Sequence, residues 1–472
     1  MQGLAKQRDY GEQGVRKQIA LSIAYLNEAC NRSGINARFR LVYAGETTWH
    51  AETSSGMDEL YWLANDSTVA QWRAQVGADL VSLFVRDGYP TGGLGQLPGS
   101  FSIYNGSPFV FAHETGHNLG CAHDRAHANL GYDQSGCNYG YSFVAPGSHD
   151  VYGDIMSYVG SQIQQFSNPD RYFMGAPTGL PEGHEDALGE PDASNNALVI
   201  NRALAYVALS EPSRIPTLST PSLSSDGREF RFRLTVPETA SARIEYSSDH
   251  RDWTLLGNYA VSSGGADIVD RDLHVEHRFY RAQLASSSIP AEVGFAKRTV
   301  RPGWSMISNP LDQLDNTVGT LLPRLAEGVQ VYKWIEGRQR WQCNAFSFGE
   351  WDDPSMSLNP GEGVVLHNPT GAPLQISFTG ELNQACYNRV PVQFSIRSAT
   401  MPQAGKLSAS LGYIPFGTGG QVYRMTGADG SYTTYTLDED GWSPEEPEME
   451  LGEAFWSRNP LNAFVWQGWI TP

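Results

Sequence analysis

Between residues 15 and 30 apolar side chains return at helical spacing, with Ile19, Ile23, Leu26 and Ala29 on one face, and Ser33-Gly34 stops the run. Residues 39–43 alternate well enough for a strand, and residues 58–76 read as a second helix carrying Leu60, Leu63 and Trp72. Residues 79–85 are almost continuously apolar, the pattern of a strand buried on both faces. Residues 101–105 follow as an edge strand. The glycine-rich stretch Gly92-Gly93-Leu94-Gly95 before them reads as a flexible loop between strands, with a minor role in lining the non-primed side of a cleft as the alternative. No helix opens after it, which excludes a dinucleotide-binding fingerprint. A last helix over 192–209 turns Leu198, Ala205 and Leu209 inward, and prolines and serines from residue 210 onwards mark a linker. The first domain is therefore α/β and covers residues 1–212.

The period then changes. Phe230-Arg231-Phe232-Arg233-Leu234 and Ala242-Arg243-Ile244-Glu245-Tyr246 alternate strictly, and His277 to Ala282 give another strand. Short strands over 217–290 predict a β-sandwich of fibronectin type III or immunoglobulin-like kind. The remainder repeats itself. Gln330-Val331-Tyr332-Lys333 returns as Gln421-Val422-Tyr423-Arg424, Trp351 as Trp442, Gly361-Glu362-Gly363 as Gly452-Glu453-Ala454 and Asn368-Pro369 as Asn459-Pro460, all at one offset of 91. Residues 296–381 and 388–472 are thus two copies of a strand-rich module. Trp334, Trp341, Trp351, Trp442, Trp456, Trp466 and Trp469 are expected mostly in the core of these modules. Any that stand exposed suit carbohydrate or an extracellular polymer, because aromatic faces stack on sugars.

Composition narrows the classes. A chain of 472 residues is too long for one core, and 11 % aromatic residues belong to a folded protein. No run of about twenty apolar residues exists, so no membrane insertion is expected. A net charge of −18 argues against nucleic acid or an anionic membrane surface as partner. Abundant Gly, Ser, Asn, Tyr and Trp with few Lys is the look of a secreted or cell-surface protein. Residues 1–14 are polar and hold no signal-peptide core, so the expectation is a chain that begins inside a longer precursor.

The chemistry concentrates in His113-Glu114-Thr115-Gly116-His117-Asn118-Leu119-Gly120-Cys121-Ala122-His123-Asp124. His113 and His117 are four apart, so on a helix both imidazoles leave the same face and can hold one zinc-type ion. Glu114 leans towards a metal-bound water without being a ligand. Gly120 accepts the left-handed backbone that ends a helix, which lets the chain turn and return His123 as third ligand. Three protein ligands leave a fourth position for water, the pattern of a catalytic zinc site. Cys121 and Cys137 bracket the following loop as a candidate disulfide, Cys343 and Cys386 are a second candidate, and Cys30 is then an odd, buried thiol. His127, His149 and His184 are read as surface or hydrogen-bonded histidines rather than ligands. Asp124, Asp133 and Asp150 are candidate calcium ligands, but their spacing matches no calcium-loop motif; Asp124 is better placed to hydrogen-bond near the zinc.

HExxHxxGxxH resembles the metzincin clan of zinc endopeptidases. Gly153-Asp154-Ile155-Met156-Ser157-Tyr158 is similar to the clan's Met-turn, with Met156 as an apolar floor beneath the imidazoles. Asp124 directly after the third His resembles the adamalysin or reprolysin branch, and Phe166-Ser167-Asn168-Pro169 looks like bacterial reprolysin-like proteases. Tyr158 instead resembles astacins, serralysins and pappalysins, where a Tyr at this place is a hinged extra ligand that stabilises the oxyanion. The resemblance implies a zincin-like domain in which zinc lowers the pKa of water to about 7 and Glu114 moves the proton to the leaving amine. It also implies an edge strand that binds extended protein substrate, and a first strand and propeptide lying upstream. Protein or glycoprotein is the implied substrate. A mucin-directed protease and a zinc-binding adhesin with a vestigial site are the alternatives, and intact Glu114 speaks against the second.

Overall fold

The computed structural model describes residues 4–47, 56–85, 92–128, 136–271, 273–284, 290–415, 418–461 and 463–470, so the calcium candidate Asp133 lies outside the described residues. The chain divides into two compact units, residues 1–215 with 336–339 and residues 216–335 with 340–472. Among the described residues no helix is long and apolar enough to cross a membrane.

The first unit opens with α1 (Leu4–Ser33), which breaks at Gly11 and buries Leu21, Tyr25, Leu26, Ala29 and Cys30. The segment 58–76 is two helices, α2 (Met57–Asn65) and α3 (Ser67–Val76). Asp66 divides them, because its carboxylate accepts from the amides of Thr68 at 2.9 Å and Val69 at 3.0 Å and so caps α3. Three short strands, β1 (Val81–Phe84), β2 (Gly93–Gly95) and β3 (Phe101–Tyr104), form a sheet in the order β1-β3-β2. β1 runs parallel to β3, and β2 antiparallel to it.

Three expectations change here. β3 was expected at the edge but is central, and the glycine-rich stretch expected as a loop is the edge strand β2. Residues 39–43 form no strand. Phe39 has its amide and carbonyl bonded to the side chain of Asn27, at 2.7 and 2.9 Å, so these groups need no ladder partner.

Helix α4 (Pro108–Asn118) carries the first half of the zinc motif and packs against α1. Beyond it come β4 (Ala122–Asp124), β5 (Tyr139–Gly140), β6 (Ser142–Val144), β7 (Val151–Gly153), β8 (Ser161–Gln162), β9 (Tyr172–Phe173), β10 (Ala176–Pro177) and α5 (Asn196–Val207). Asn195 caps α5 by accepting from the amide of Leu198. The buried face of α5 is Asn196, Ala197 and Ile200; of the residues expected inward, Leu198 is half-buried, Ala205 is exposed, and Leu209 lies past the helix end and is 84 % exposed.

Among the described residues, the regular structure of the second unit is β apart from one helical turn, Val318–Leu321. Strands Thr217–Leu223, Phe230–Thr235 and Ala266–Asp270 form one sheet. Strands Thr254–Val261, Ala240–Ser247, His277–Leu284, Ala291–Val300 and Leu374–Glu381 form another, in that order. One core, with Phe230, Phe232, Ile244, Tyr280 and Phe295, takes residues from both. The strand Ala291–Val300 runs through the boundary expected between 290 and 296, so the sandwich sheet reaches into the first repeat and recruits Leu374–Glu381 from its end.

The repeats fold alike. One sheet has the order Gly303–Ile307, Val364–Asn368, Gln330–Ile335, Arg340–Ser347, Glu350–Trp351. The other has Gln393–Ser398, Ala454–Asn459, Gly420–Met425, Tyr432–Asp438, Gly441–Ser443. Even the side-chain bonds recur at the same offset. Tyr332 donates to Gln330 and Tyr423 to Gln421, while Lys333 pairs with Glu362 and Arg424 with Glu453. Trp351 and Trp466 are buried, whereas Trp341 is 45 % exposed. The expected Cys343–Cys386 disulfide is absent. Cys343 is exposed opposite Tyr332 on the first repeat's sheet, and Cys386 is sealed in a different core opposite Gly468, so neither is in a disulfide.

Candidate metal centre

The site begins with how α4 starts and stops. Ser107 accepts from the amide of Val110, and Pro108 occupies the first turn, where its missing N–H costs nothing. At the other end Gly120 has φ 95°, the amide of Gly120 donates to His117 O, and the amide of Cys121 donates to Gly116 O. This pair of bonds is the Schellman ending, which needs the left-handed glycine. The turn sends the chain into β4, and β4 pairs with β5, so His123 comes back over the helix.

The three imidazoles converge. Nε2 of His123 stands 3.1 Å from Nε2 of His113 and 3.0 Å from Nε2 of His117. Nδ1 of His113 donates to the carbonyl of Ile155 at 2.8 Å, and Nδ1 of His117 donates to the carbonyl of Cys121 at 2.7 Å. A carbonyl can only accept, so both protons sit on Nδ1 and both Nε2 lone pairs face the shared centre. Lone pairs this close repel unless a cation lies among them. Two nitrogens bound to one tetrahedral zinc at about 2.0–2.1 Å stand roughly 3.3 Å apart, near the spacing here. These are the three residues that group as candidate metal ligands. Burial holds His113 down to about 4, and burial with the neighbouring imidazoles holds His117 at about 3, so neither takes a proton at neutral pH.

Glu114 is 5 % exposed on the same helix, and burial pushes its carboxyl up to about 8. Met156 is fully buried beneath the helix: a β-carbon on Gly116 would lie 2.6 Å from its sulfur, so only glycine lets this Met come so close. Asp124 ties the strand of His123 to the turn that follows Met156. It accepts from the amide of Tyr158 at 2.9 Å and from Nδ1 of His127 at 2.7 Å. Burial alone would raise Asp124, but these two donors win and hold its carboxyl below the usual range. The Tyr158 ring lies 4.2 Å from that of His123 and 5.8 Å from that of His113, centre to centre. His127 therefore serves Asp124, and it does not join the His113, His117 and His123 group.

The expected Cys121–Cys137 disulfide is not formed. Both thiols are free, with Cys121 directed at Asn196 O and Cys137 at Glu182. The loop is held instead by Arg125, which stacks on Tyr139 and donates to the carbonyls of Gly136 and Ala193.

Sequence reasoning missed a polar hub behind the site. Asp154 is fully buried and accepts from the amides of Met156 and Ser167 and from the side chain of Asn196. Ser167 donates to Tyr139 O and accepts from the amide of Asn196, while Ser33 on α1 accepts from the amide of Phe166. Burial pushes Asp154 up to about 7 against these donors. No spacing rule marks such residues, because their partners are distant in sequence.

Three imidazoles on a helix that ends in a glycine turn, over a buried methionine, define a metal centre of metzincin-like build. Residues 5–167 match the family model Reprolysin_5, Metallo-peptidase family M12. The chain is also similar to a Peptidyl-Asp metalloendopeptidase of Pseudomonas aeruginosa, with 28 % identity over 245 residues, covering 44 % of this chain and 39 % of that protein. It thus spans about two fifths of that relative's length. A solved structure titled "Structure of a chaperone-substrate complex" aligns at 18 % identity and TM-score 0.34, covering 45 % of this chain and 38 % of that one. The family and curated matches support a metzincin-like zinc metalloprotease. The match to an M12 model implies zinc as the cofactor, and His113, His117 and His123 form a donor set that fits it.

Proposed function

We propose that this chain is a zinc-dependent endopeptidase that acts on proteins outside the cell. The observation that carries the reading is the buried triad of Nε2 atoms with Glu114 on the same helix. His113, His117 and His123 would hold the zinc, which when bound polarises a peptide carbonyl and makes water nucleophilic near neutral pH. Glu114 accepts the proton of the attacking water and returns it to the leaving amine; its raised pKa suits both transfers. Tyr158, partly exposed beside His123, donates its phenol proton to the developing oxyanion. Met156 shapes the floor and does no chemistry. The relative's name makes peptidyl-aspartate bonds the first substrate class to test. In the second unit the exposed face of Trp341 supports a carbohydrate- or polymer-binding role for the repeats.

The test is proteolysis of a mixed proteome by the full chain, with and without a zinc chelator and beside Glu114→Ala, read as new termini by mass spectrometry. New termini that vanish in both controls are the expected result, with Glu114→Ala losing at least about 10³-fold while keeping zinc. Cleavage that survives the variant removes Glu114 from the mechanism.

A further inference from the structure

Among the described residues no protein hydrogen bond to the Glu114 carboxyl is present, and the residue is 5 % exposed. What surrounds it is the edge strand. A β-carbon on Gly93 would lie 2.5 Å from Glu114 Oε1, 2.8 Å from its Cγ and 2.6 Å from Val110 Cγ1. One on Gly95 would lie 2.8 Å from the Glu114 carbonyl oxygen, 3.2 Å from its Oε2 and 3.2 Å from His117 Cβ. Both glycines turn their bare side onto α4, while Leu94 between them packs into the sheet's apolar core. Neither glycine is demanded by a left-handed backbone, since positive φ falls on Gly92 and not on Gly93 or Gly95. They are demanded by close approach.

We propose that Gly93 and Gly95 are positioning residues for Glu114: β2 is a side-chain-free roof whose contact limits where the carboxyl can point. Resting on the endopeptidase reading, this assigns to the glycine-rich stretch a role in turnover rather than in folding or substrate binding. Any side chain at Gly93 occupies the space of the carboxyl and drives it off line. A displacement of about 1 Å at a reacting group is enough to cost on the order of 10²-fold.

The experiment uses the full chain as wild type, Gly93→Ala, Glu114→Asp and the double variant, with kcat, KM, zinc content and thermal midpoint measured on each. Gly93→Ala is expected to lose at least about 30-fold in kcat, with KM within about threefold and zinc content unchanged, while a lowered midpoint reports only the overpacking against Val110. Asp is one methylene shorter and leaves room for the new methyl, so the double variant should be at least about tenfold more active than the product of the single losses. A kcat for Gly93→Ala within twofold of wild type, or losses that simply multiply, overturns the proposal. If Gly93→Ala does not fold, Gly93→Ala with Val110→Ala removes the apolar clash and is judged by the same figures. If the wild type binds zinc but cleaves nothing, it is the endopeptidase reading that fails. The crystal structure of Gly93→Ala then decides the positioning role: a carboxyl moved by more than about 1 Å sustains it, and one left in place overturns it.

Discussion

Gly116 and Met156 offer a test of how the floor of the site is built. A β-carbon on Gly116 would meet Met156 Sδ at 2.6 Å and Phe166 Cε1 at 3.1 Å. In a helix interior Gly→Ala ordinarily stabilises by about 0.5–1 kcal/mol. Here overpacking costs about 1–3 kcal/mol, less if the flexible Met swings aside, so Gly116→Ala should be a net loss of about 1–2 kcal/mol. Met156 is fully buried, and Met156→Ala alone should cost about 2–5 kcal/mol through the cavity it leaves. That cavity is where the new methyl would sit. In the Met156→Ala background, Gly116→Ala loses its worst clash and should change sign to a gain of about 0.5–1 kcal/mol. The two substitutions should therefore be coupled by about 1–3 kcal/mol. The assay is hydrogen exchange of the α4 amides in the full metal-free chain across a urea series, which reads this helix separately from the second unit. Additivity within about 0.5 kcal/mol would refute the argument, because it would mean that the sulfur and the missing methyl do not compete for space.

Further expectations follow from the same contacts. Asp124→Ala strands the amide of Tyr158 and frees His127, so zinc affinity should weaken about 10- to 100-fold in competition with a chromophoric chelator; an unchanged affinity would separate Asp124 from the site. Burial holds His117 at about 3, so in metal-free protein the unfolded chain binds a proton below about pH 6.5 that the folded one refuses. The stability of wild type relative to His117→Gln should accordingly rise between pH 4 and 6.5, by on the order of 3 kcal/mol at most, and a flat difference in urea midpoints would contradict it. Asp66→Ala removes the cap of α3 and should cost about 1 kcal/mol, seen as faster exchange confined to Ser67–Val76; a loss spread over the unit would point to a different role.

The metal centre was legible because its first steps are local. Two histidines four apart share a helix face whatever surrounds them, and Gly120 ends the helix by its own backbone freedom, with φ 95° here. The repeat was legible for a similar reason: identical spacing builds identical ladders, and Tyr332–Gln330 and Tyr423–Gln421 are bonds between residues two apart on one strand. The disulfides failed as expectations because spacing along the chain says nothing of the direction of a side chain. Cys121 and Cys137 each found another partner, and Cys343 and Cys386 lie in different sheets.

By itself the sequence determined which three histidines converge, the glycine turn that brings His123 back and the side-chain pairs that recur at one offset of 91, all of which are set by spacing within a few residues or by one repeated offset. Only the tertiary structure decided that the glycine-rich stretch is the edge strand over Glu114, and that β3 is central. It also decided that Ile155, 42 residues from His113, fixes that imidazole's proton, and that the sheet holding Ala291–Val300 takes the strand Leu374–Glu381. These depend on pairings between distant segments, where burial and the need to satisfy every backbone group choose the partner, and no local pattern carries that choice.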